Sequence, residues 1–202
     1  NGEVVDSMGG GICQVSTTLY NAVLRAELNV TERSPHSMTV HYVDLSEDAA
    51  IAGTYKDFKF VNSTEYPIYI EGYTTSDKKI TFNIYGKETR DKNRTISFES
   101  QMVSETPATT ILQEDAGQGI GYKAVSSKGS SGYVAELYKI VKVNGVETDR
   151  IKVNKSTYKG TNRVVTYGTA GDPTLSENLR AAIAAQDEAL ADANIAAAVP
   201  AQ

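Results

Sequence analysis

The sequence is poor in cross-linking residues and in long apolar segments. Its 202 residues include one cysteine, two histidines and no tryptophan. A single cysteine cannot form a disulfide within the chain, so the fold does not depend on a disulfide framework. No apolar run reaches the roughly 18 residues that a membrane-spanning helix needs. We therefore expect a globular fold that makes no membrane contact through this segment.

Basic charge is also scarce, because 20 Lys and Arg residues stand against 25 Asp and Glu residues and the net charge is −5. Proteins that bind nucleic acid carry a basic surface, so the charge excludes nucleic acid as a partner. A hydrophobic share of 40% and 12 tyrosines fit a globular protein rich in β structure. The first residues, NGEVVDSMGGG, have the character of a strand and loop, so we expect a fragment or processed form whose signal or anchor lies outside this chain.

Composition divides the chain into three zones, at residues 1–87, 90–169 and 170–202. The first zone predicts an α+β domain in which the cysteine-bearing helix packs on an antiparallel sheet. The second zone is rich in β-branched residues, aromatic residues and glycine, which predicts an elongated all-β domain with a type I′ hairpin at Asn144-Gly145. The third zone is rich in alanine and predicts a loosely docked C-terminal helix.

Apolar residues from Ile12 to Ala26 recur at helical spacing in the first zone. This pattern predicts a helix that buries the stripe containing Ile12 and Val15 and exposes the side with Ser16 and Thr17. The segments NSTE and TSDKK predict hairpin turns. Strands are predicted at residues 36–43, 57–62, 66–74 and 79–86.

The one cysteine lies in GGGICQ, directly after a run of glycines. The helical pattern places Cys13 in the first turn, where free N–H groups and the helix dipole stabilise a thiolate. The backbone of Gly10, Gly11, Ile12 and Gln14 would receive an oxyanion formed on a substrate carbonyl. The glycines leave room for a substrate, whereas the segment lacks the spacing of a phosphate-binding loop. A buried structural cysteine is the alternative interpretation.

A nucleophilic cysteine needs a general base, for which the chain offers only His36 and His41. Their separation of five residues places them on opposite faces of the predicted strand, so at most one of them reaches Cys13 from it. His36 lies at the start of this strand, where side chains border a site, and it is the preferred base.

Three acids, Asp44, Asp48 and Asp57, lie near enough in sequence to orient the imidazole of His36. Asp57 begins the next predicted strand and Asp48 lies in the connecting loop, and both remain candidates. A zinc site would need three or four ligands in one place. The two histidines on opposite faces argue against such a site with Cys13, so we predict no metal and no cofactor.

The segment GGGICQVSTTLYNAVLRAELNVTERSPHSMTVHYV resembles the core signature of the VanW domain, and DFKFVNSTEYPIYIEGY continues the resemblance. Family members usually carry further strands before GGGICQ, which implies an N-terminally truncated domain here. VanW-domain proteins are bacterial envelope proteins, and some are described as L,D-transpeptidases that cross-link peptidoglycan through a cysteine. The resemblance implies Cys13 as the nucleophile, His36 as the base, and Asp48 or Asp57 as the orienting acid.

Residues 90–169 resemble a G5 domain, an all-β module that often follows VanW domains and is thought to bind wall sugars or to act as a spacer. Together the two resemblances imply an extracellular protein of a Gram-positive cell envelope, from a family first noted beside vancomycin-resistance genes. One hypothesis is a cysteine L,D-transpeptidase or carboxypeptidase that acts on peptidoglycan stem peptides through a thioester on Cys13. The other is a non-catalytic protein that binds wall glycans or assists glycopeptide resistance.

Overall fold

A computed structural model of the chain describes residues 10–198. These residues form two units, each made of two separate stretches of the sequence. The first unit consists of the described residues up to Ser104 together with Tyr133–Tyr158. The second unit consists of Glu105–Gly132 together with the described residues from Lys159 onward. The strand and loop expected before Gly10 lie outside the described residues. The division into three zones stays a prediction.

The described residues combine three helices with ten strands. In chain order they are α1 (Ile12–Arg25), β1 (Asn29–Arg33), β2 (Phe58–Val61), β3 (Tyr69–Thr74), β4 (Ile80–Tyr85), β5 (Arg94–Thr106), β6 (Thr110–Gly119), β7 (Lys123–Ser130), β8 (Gly132–Val143), β9 (Val146–Tyr158), β10 (Thr161–Ala170), α2 (Pro173–Ala184) and α3 (Glu188–Ala198). The sheets are β1-β2, β3-β4, β5-β8-β9 and β6-β10-β7. The predicted α+β class, with an all-β region and C-terminal helical structure, is confirmed.

Helix α1 buries its apolar stripe at Val23, as predicted, but in its first turns it buries the polar side instead. Ile12 and Val15 are 51% and 43% exposed, whereas Ser16 and Thr17 are buried. The hydroxyls of Ser16 and Thr17 donate hydrogen bonds of 2.6 and 3.2 Å to the carbonyl of Ala49. Because these bonds satisfy the buried hydroxyls, the polar side of the helix can face the interior. The core next to this helix consists of Tyr20, Leu24, Ala49 and Leu137.

The loop predictions of the first unit have mixed outcomes. The TSDKK hairpin between β3 and β4 is confirmed, with a bond of 2.9 Å from the Thr75 N–H to the Lys79 carbonyl. The hairpin at NSTE is wrong, because β2 pairs with β1 and β3 pairs with β4. The strand over residues 36–43 is also wrong, since this stretch is an irregular loop.

The Asn144-Gly145 turn is confirmed. Both residues have positive φ angles, 53° and 81°, as a type I′ turn requires. The turn joins β8 to β9 with Val143 opposite Val146. The long hairpin that results is part of the first unit and places residues of β9 next to α1 and the loop after β1.

A partly buried ion cluster fastens the C-terminal end of α1. The Glu27 carboxylate accepts bonds from Arg94 at 2.5 and 2.8 Å and from Lys139 at 3.0 Å. Hydrogen bonds from Arg94 lower the pKa of Glu27, burial opposes them, and Lys139 adds to the lowering, so that the pKa falls from 4.5 to about 2. The cluster thus ties α1 to β5 and β8.

We expect this cluster to make the first unit sensitive to acid. Because the folded-state pKa of Glu27 is depressed, its contribution is fully present above about pH 4.5 and is lost as the pH falls towards 2. Because solvent screens this partly buried cluster, we expect a contribution of about 1 to 3 kcal/mol at neutral pH. Urea unfolding of the wild type and of Glu27→Gln across this range measures the effect. The two free energies of unfolding should converge as the pH falls, and a constant difference would contradict the assignment.

The second unit is built around β10, which pairs in parallel with β6 and antiparallel with β7. The expectation of a loosely docked helical tail is wrong. Leu179, Ala182 and Ala191 of α2 and α3 are 0% exposed and pack against Val165 and Tyr167. Small alanine side chains allow the helices to approach the sheet closely, which is why a thin apolar stripe is enough. Among the helices within residues 10–198, none has the length and apolar character needed to cross a bilayer.

Candidate active site

Cys13 lies in the first turn of α1, as the sequence predicts, and is half-buried. Its thiol donates a weak 3.5 Å hydrogen bond to the carbonyl of Ile51. Gly11 precedes the helix with φ of 102°, a left-handed conformation that glycine adopts without strain. Among residues 10–198, no side-chain hydrogen bond caps this end of the helix, so within this range the first-turn N–H groups of Ile12 and Gln14 have no Asp or Ser partner.

The space in front of this helix end is open within residues 10–198. A Cβ built on Gly11 would meet no atom within 4 Å. Gly10, Gly11, Ile12 and Gln14 are all exposed. The helix end that the sequence predicts to receive an oxyanion is therefore exposed among these residues.

His36 is held by Asp48 through two hydrogen bonds to one carboxylate oxygen. Oδ2 of Asp48 lies 2.7 Å from Nδ1 of the His36 ring and accepts a 2.6 Å bond from the His36 backbone N–H. The backbone bond fixes the loop, and the ring bond fixes the imidazole. Since the carboxylate only accepts, Nδ1 carries a proton, and in the neutral ring the lone pair is then on Nε2, which is the tautomer that a general base needs.

Asp48 is 0% exposed, and its second oxygen is also satisfied. Oδ1 accepts hydrogen bonds of 2.8 Å from Arg33 and 2.5 Å from the hydroxyl of Tyr158. Burial by itself raises the pKa of Asp48, but the bonds from His36 and Tyr158 and the charge of Arg33 outweigh it and lower the pKa to about 2. Asp48 therefore stays ionised at physiological pH and can stabilise an imidazolium on His36.

The loop segment from Asp48 to Ile51 connects the thiol to the imidazole. Its first residue holds the His36 ring, and the carbonyl of its last residue accepts from Cys13. Between them, Ala49 accepts the bonds from the first two turns of α1 that bury this side of the helix. This short segment thus positions both groups, which lie on different elements.

Tyr42 lies beside His36. Its hydroxyl is 3.5 Å from Nε2 of His36. Burial raises the pKa of Tyr42, a hydrogen bond with Thr17 opposes this, and the charges of Cys13 and Asp48 add to the rise. The hydroxyl therefore stays protonated, and Nε2 of His36 faces it.

The remaining predicted residues lie apart from this arrangement. Asp57 accepts from the Phe58 N–H at 2.8 Å and lies 3.4 Å from Nζ of Lys59, with its side chain 46% exposed. His41 is exposed. Within residues 10–198 no group of three or more His, Cys, Asp and Glu side chains could hold a metal ion.

Sequence reasoning missed three residues of the site: Arg33, Tyr42 and Tyr158. Arg33 and Tyr42 are near His36 in sequence and could have been found as a buried cation and an aromatic next to the base. Tyr158 is 110 residues from Asp48, and nothing local to either residue signals the contact.

Two family models match the chain, one described as VanW like protein at residues 1–85 and one as G5 domain at residues 98–170. The chain carries a VanW domain followed by a G5 domain. Domains of these two kinds are typical of secreted or cell-wall proteins, and G5 domains are associated with binding of cell-wall glycan. Tyr158 falls within the G5 match, yet its hydroxyl binds the carboxylate that holds His36 in the VanW domain.

The VanW domain is similar to the uncharacterized protein YoaR of Bacillus subtilis (strain 168), with 46% identity over 69 residues. This match spans 34% of the chain and 23% of that relative. The G5 domain is similar to the solved IgA1 protease G5 domain, with 24% identity over 42% of this chain and 100% of the other, and a TM-score of 0.30. It is also similar to the crystal structure of HP0197-G5, with 20% identity over 37% and 97% of the two chains and a TM-score of 0.24.

Proposed function

We propose that this protein is a cysteine-dependent L,D-transpeptidase of a Gram-positive cell wall, with Cys13, His36 and Asp48 as its catalytic group. The observation that carries the proposal is the buried, ionised Asp48, which holds His36 in the tautomer of a base. A carboxylate at 0% exposure is costly to bury, and its bonds to Arg33, Tyr158 and His36 offset that cost. The bond to His36 supports a role for Asp48 in orienting the base. The G5 domain would keep the protein on wall glycans.

In the first step, Nε2 of His36 takes the proton of the Cys13 thiol, and the sulfur attacks the carbonyl of an L-residue in a stem peptide. The oxyanion is received by N–H groups in the first turn of α1. The C–N bond to the terminal D-alanine then breaks, and its amine leaves with the proton from His36. The product is a thioester on Cys13.

In the second step, the amine of a neighbouring stem attacks this thioester, and His36 accepts the proton that the amine loses. The sulfur leaves as a thiolate and recovers a proton from His36. The result is an L,D cross-link, whereas attack by water would make the same site a carboxypeptidase. For the proton to move between them, Cys13 must exchange its bond with Ile51 for one directed at His36.

A test incubates the full chain with purified muropeptides and follows products and protein by mass spectrometry. We expect L,D-linked dimers, free D-alanine and an acyl adduct on Cys13. Cys13→Ala should abolish all three, and His36→Ala should slow product formation by at least about a hundredfold. His41→Ala is the matched control and should behave as the wild type. If no adduct forms, and a thiol reagent labels the native Cys13 as slowly as a buried thiol, the non-catalytic wall-binding alternative is correct.

A further inference from the structure

The hairpin β3-β4 has two chemically different faces. The inner face carries Ile70, Phe82 and Ile84, all half-buried, and contacts α1. Gly72 lies opposite Phe82, and a Cβ at this glycine would lie 2.5 Å from the Phe82 ring. The Phe82 ring thus covers Gly72 within the hairpin, and β4 lies against α1, the helix that carries Cys13.

The outer face carries three exposed tyrosines. Tyr69, Tyr73 and Tyr85 are 64%, 46% and 52% exposed. The Tyr69 and Tyr85 rings lie directly opposite each other, with centroids 6.1 Å apart and planes tilted by 31°. The outer face of an antiparallel pair ordinarily carries polar and charged side chains. Three large exposed rings contribute nothing to the core and are typical of a recognition surface, where tyrosine supplies rigid contact area at low entropic cost.

A fixed polar pair lies between these rings. The amide of Asn83 and the hydroxyl of Tyr85 donate to Oε2 of Glu71 at 3.0 and 3.2 Å. Within residues 10–198, Oε1 of Glu71 and Oδ1 of Asn83 accept no side-chain hydrogen bond. The charge of Glu71 also raises the pKa of Tyr85, which keeps that hydroxyl protonated. The surface therefore offers two free acceptors at fixed positions among aromatic rings.

The charge of this surface restricts what it can bind. Its side chains, which we call the tyrosine face, are Tyr69, Glu71, Tyr73, Thr81, Asn83 and Tyr85. They include one carboxylate and no cation, so a polyanion such as a nucleic acid or a phosphate polymer would be repelled. Sugar rings present flat patches of C–H groups, which stack on the negative faces of aromatic rings, and hydroxyls, which donate to acceptors.

We infer that the tyrosine face is a binding site for an uncharged glycan chain, in the VanW domain and separate from any sugar site of the G5 domain. Rings of the glycan would stack on Tyr69, Tyr73 and Tyr85, and its hydroxyls would donate to Glu71 and Asn83. The site goes beyond the proposed chemistry at Cys13 and does not depend on it. It would hold a glycan strand on the same helix–hairpin assembly that carries the thiol.

The test uses the full chain with Cys13→Ala, so that binding is measured without any chemistry. The probe is a linear β-1,4-linked hexamer of N-acetylglucosamine, and the readout is the ¹H–¹³C NMR signals of the Tyr69 and Tyr85 rings. These signals should shift on titration and report a Kd for this face alone. Tyr69→Ala combined with Tyr85→Ala should raise the Kd, followed on the Tyr73 ring, by at least about tenfold. Glu71→Gln should give a smaller increase.

Two variants control this experiment. Tyr55→Ala removes a tyrosine that is 76% exposed but lies outside the tyrosine face, and its Kd should match that of the parent. Tyr69→Phe keeps the ring and should bind almost as tightly. Ring signals that stay unchanged at saturating hexamer, or a Kd that the double variant does not alter, would overturn the proposal. Signals that broaden with protein concentration before any sugar is added would identify a protein interface instead.

Discussion

Replacing Asp48 by asparagine is expected to destabilise the first unit by about 3 kcal/mol and to slow turnover at Cys13 by about a thousandfold. The loss of stability follows from Arg33, whose side chain is 6% exposed and would become a buried, uncompensated cation. The loss of turnover follows from the tautomer of His36. An asparagine amide can donate to Nδ1, which moves the imidazole proton to Nε2 and removes the lone pair that the base needs.

These two losses have separate readouts. Urea unfolding at neutral pH measures the free energy of unfolding, and the ¹⁵N shifts of the imidazole report which nitrogen of His36 carries the proton. We expect a proton on Nδ1 in the wild type and on Nε2 in Asp48→Asn. If the variant loses stability but keeps the wild-type tautomer and turnover, the role of Asp48 is structural only.

Asp57→Asn is the matched control, because the sequence leaves the choice between Asp48 and Asp57 open. Asp57 is half-exposed, and among the described residues its polar contacts are with Phe58 and Lys59 of the adjoining strand β2. The change should therefore alter the free energy of unfolding by less than about 0.5 kcal/mol and leave the His36 tautomer as it is. If turnover instead falls with Asp57→Asn and not with Asp48→Asn, the assignment of the orienting acid is reversed.

The parts of the fold that the sequence predicts are those with a local cause. Glycine before an apolar pattern predicts the start of α1 and the place of Cys13 in its first turn. Asn144 and Gly145 predict the turn between β8 and β9, because only residues that tolerate positive φ fit it. Each of these features depends on neighbouring residues alone, so periodicity and turn chemistry are sufficient to find it.

The parts that the sequence does not predict depend on distant partners. The stretch from His36 to Val43 has strand-forming residues, yet it is an irregular loop, and Asp48 anchors it at the backbone and ring of His36. Likewise, α1 turns its polar side inward because the carbonyl of Ala49 accepts from it. The sequence favours His36 over His41 because of a strand that does not form, and the hydrogen bonds of Asp48 to His36 support the same choice on a different ground.

A second large effect, on cooperative unfolding of the first unit, is expected when the chain is cut after residue 104. A fragment of residues 1–104 contains the whole VanW match, but it lacks β8 and β9 of the first unit. It therefore loses Leu137, which is fully buried in the core beside Tyr20, and the Tyr158 hydroxyl that binds Asp48. It also loses Lys139 from the Glu27 cluster. Without these contacts, the fragment should not unfold cooperatively.

A fragment of residues 1–158 is the matched comparison, because it contains every residue of the first unit. We expect this longer fragment to unfold cooperatively in urea and to keep the His36 tautomer of the full chain. Circular dichroism and the imidazole ¹⁵N shifts, measured on both fragments, check this expectation. A cooperative transition of the shorter fragment at the midpoint of the longer one would show that the VanW domain folds without the β8-β9 hairpin. If only the longer fragment unfolds cooperatively, residues of the G5 match complete the core of the unit that carries the thiol and its base. The two matched domains then cannot be studied as independent pieces.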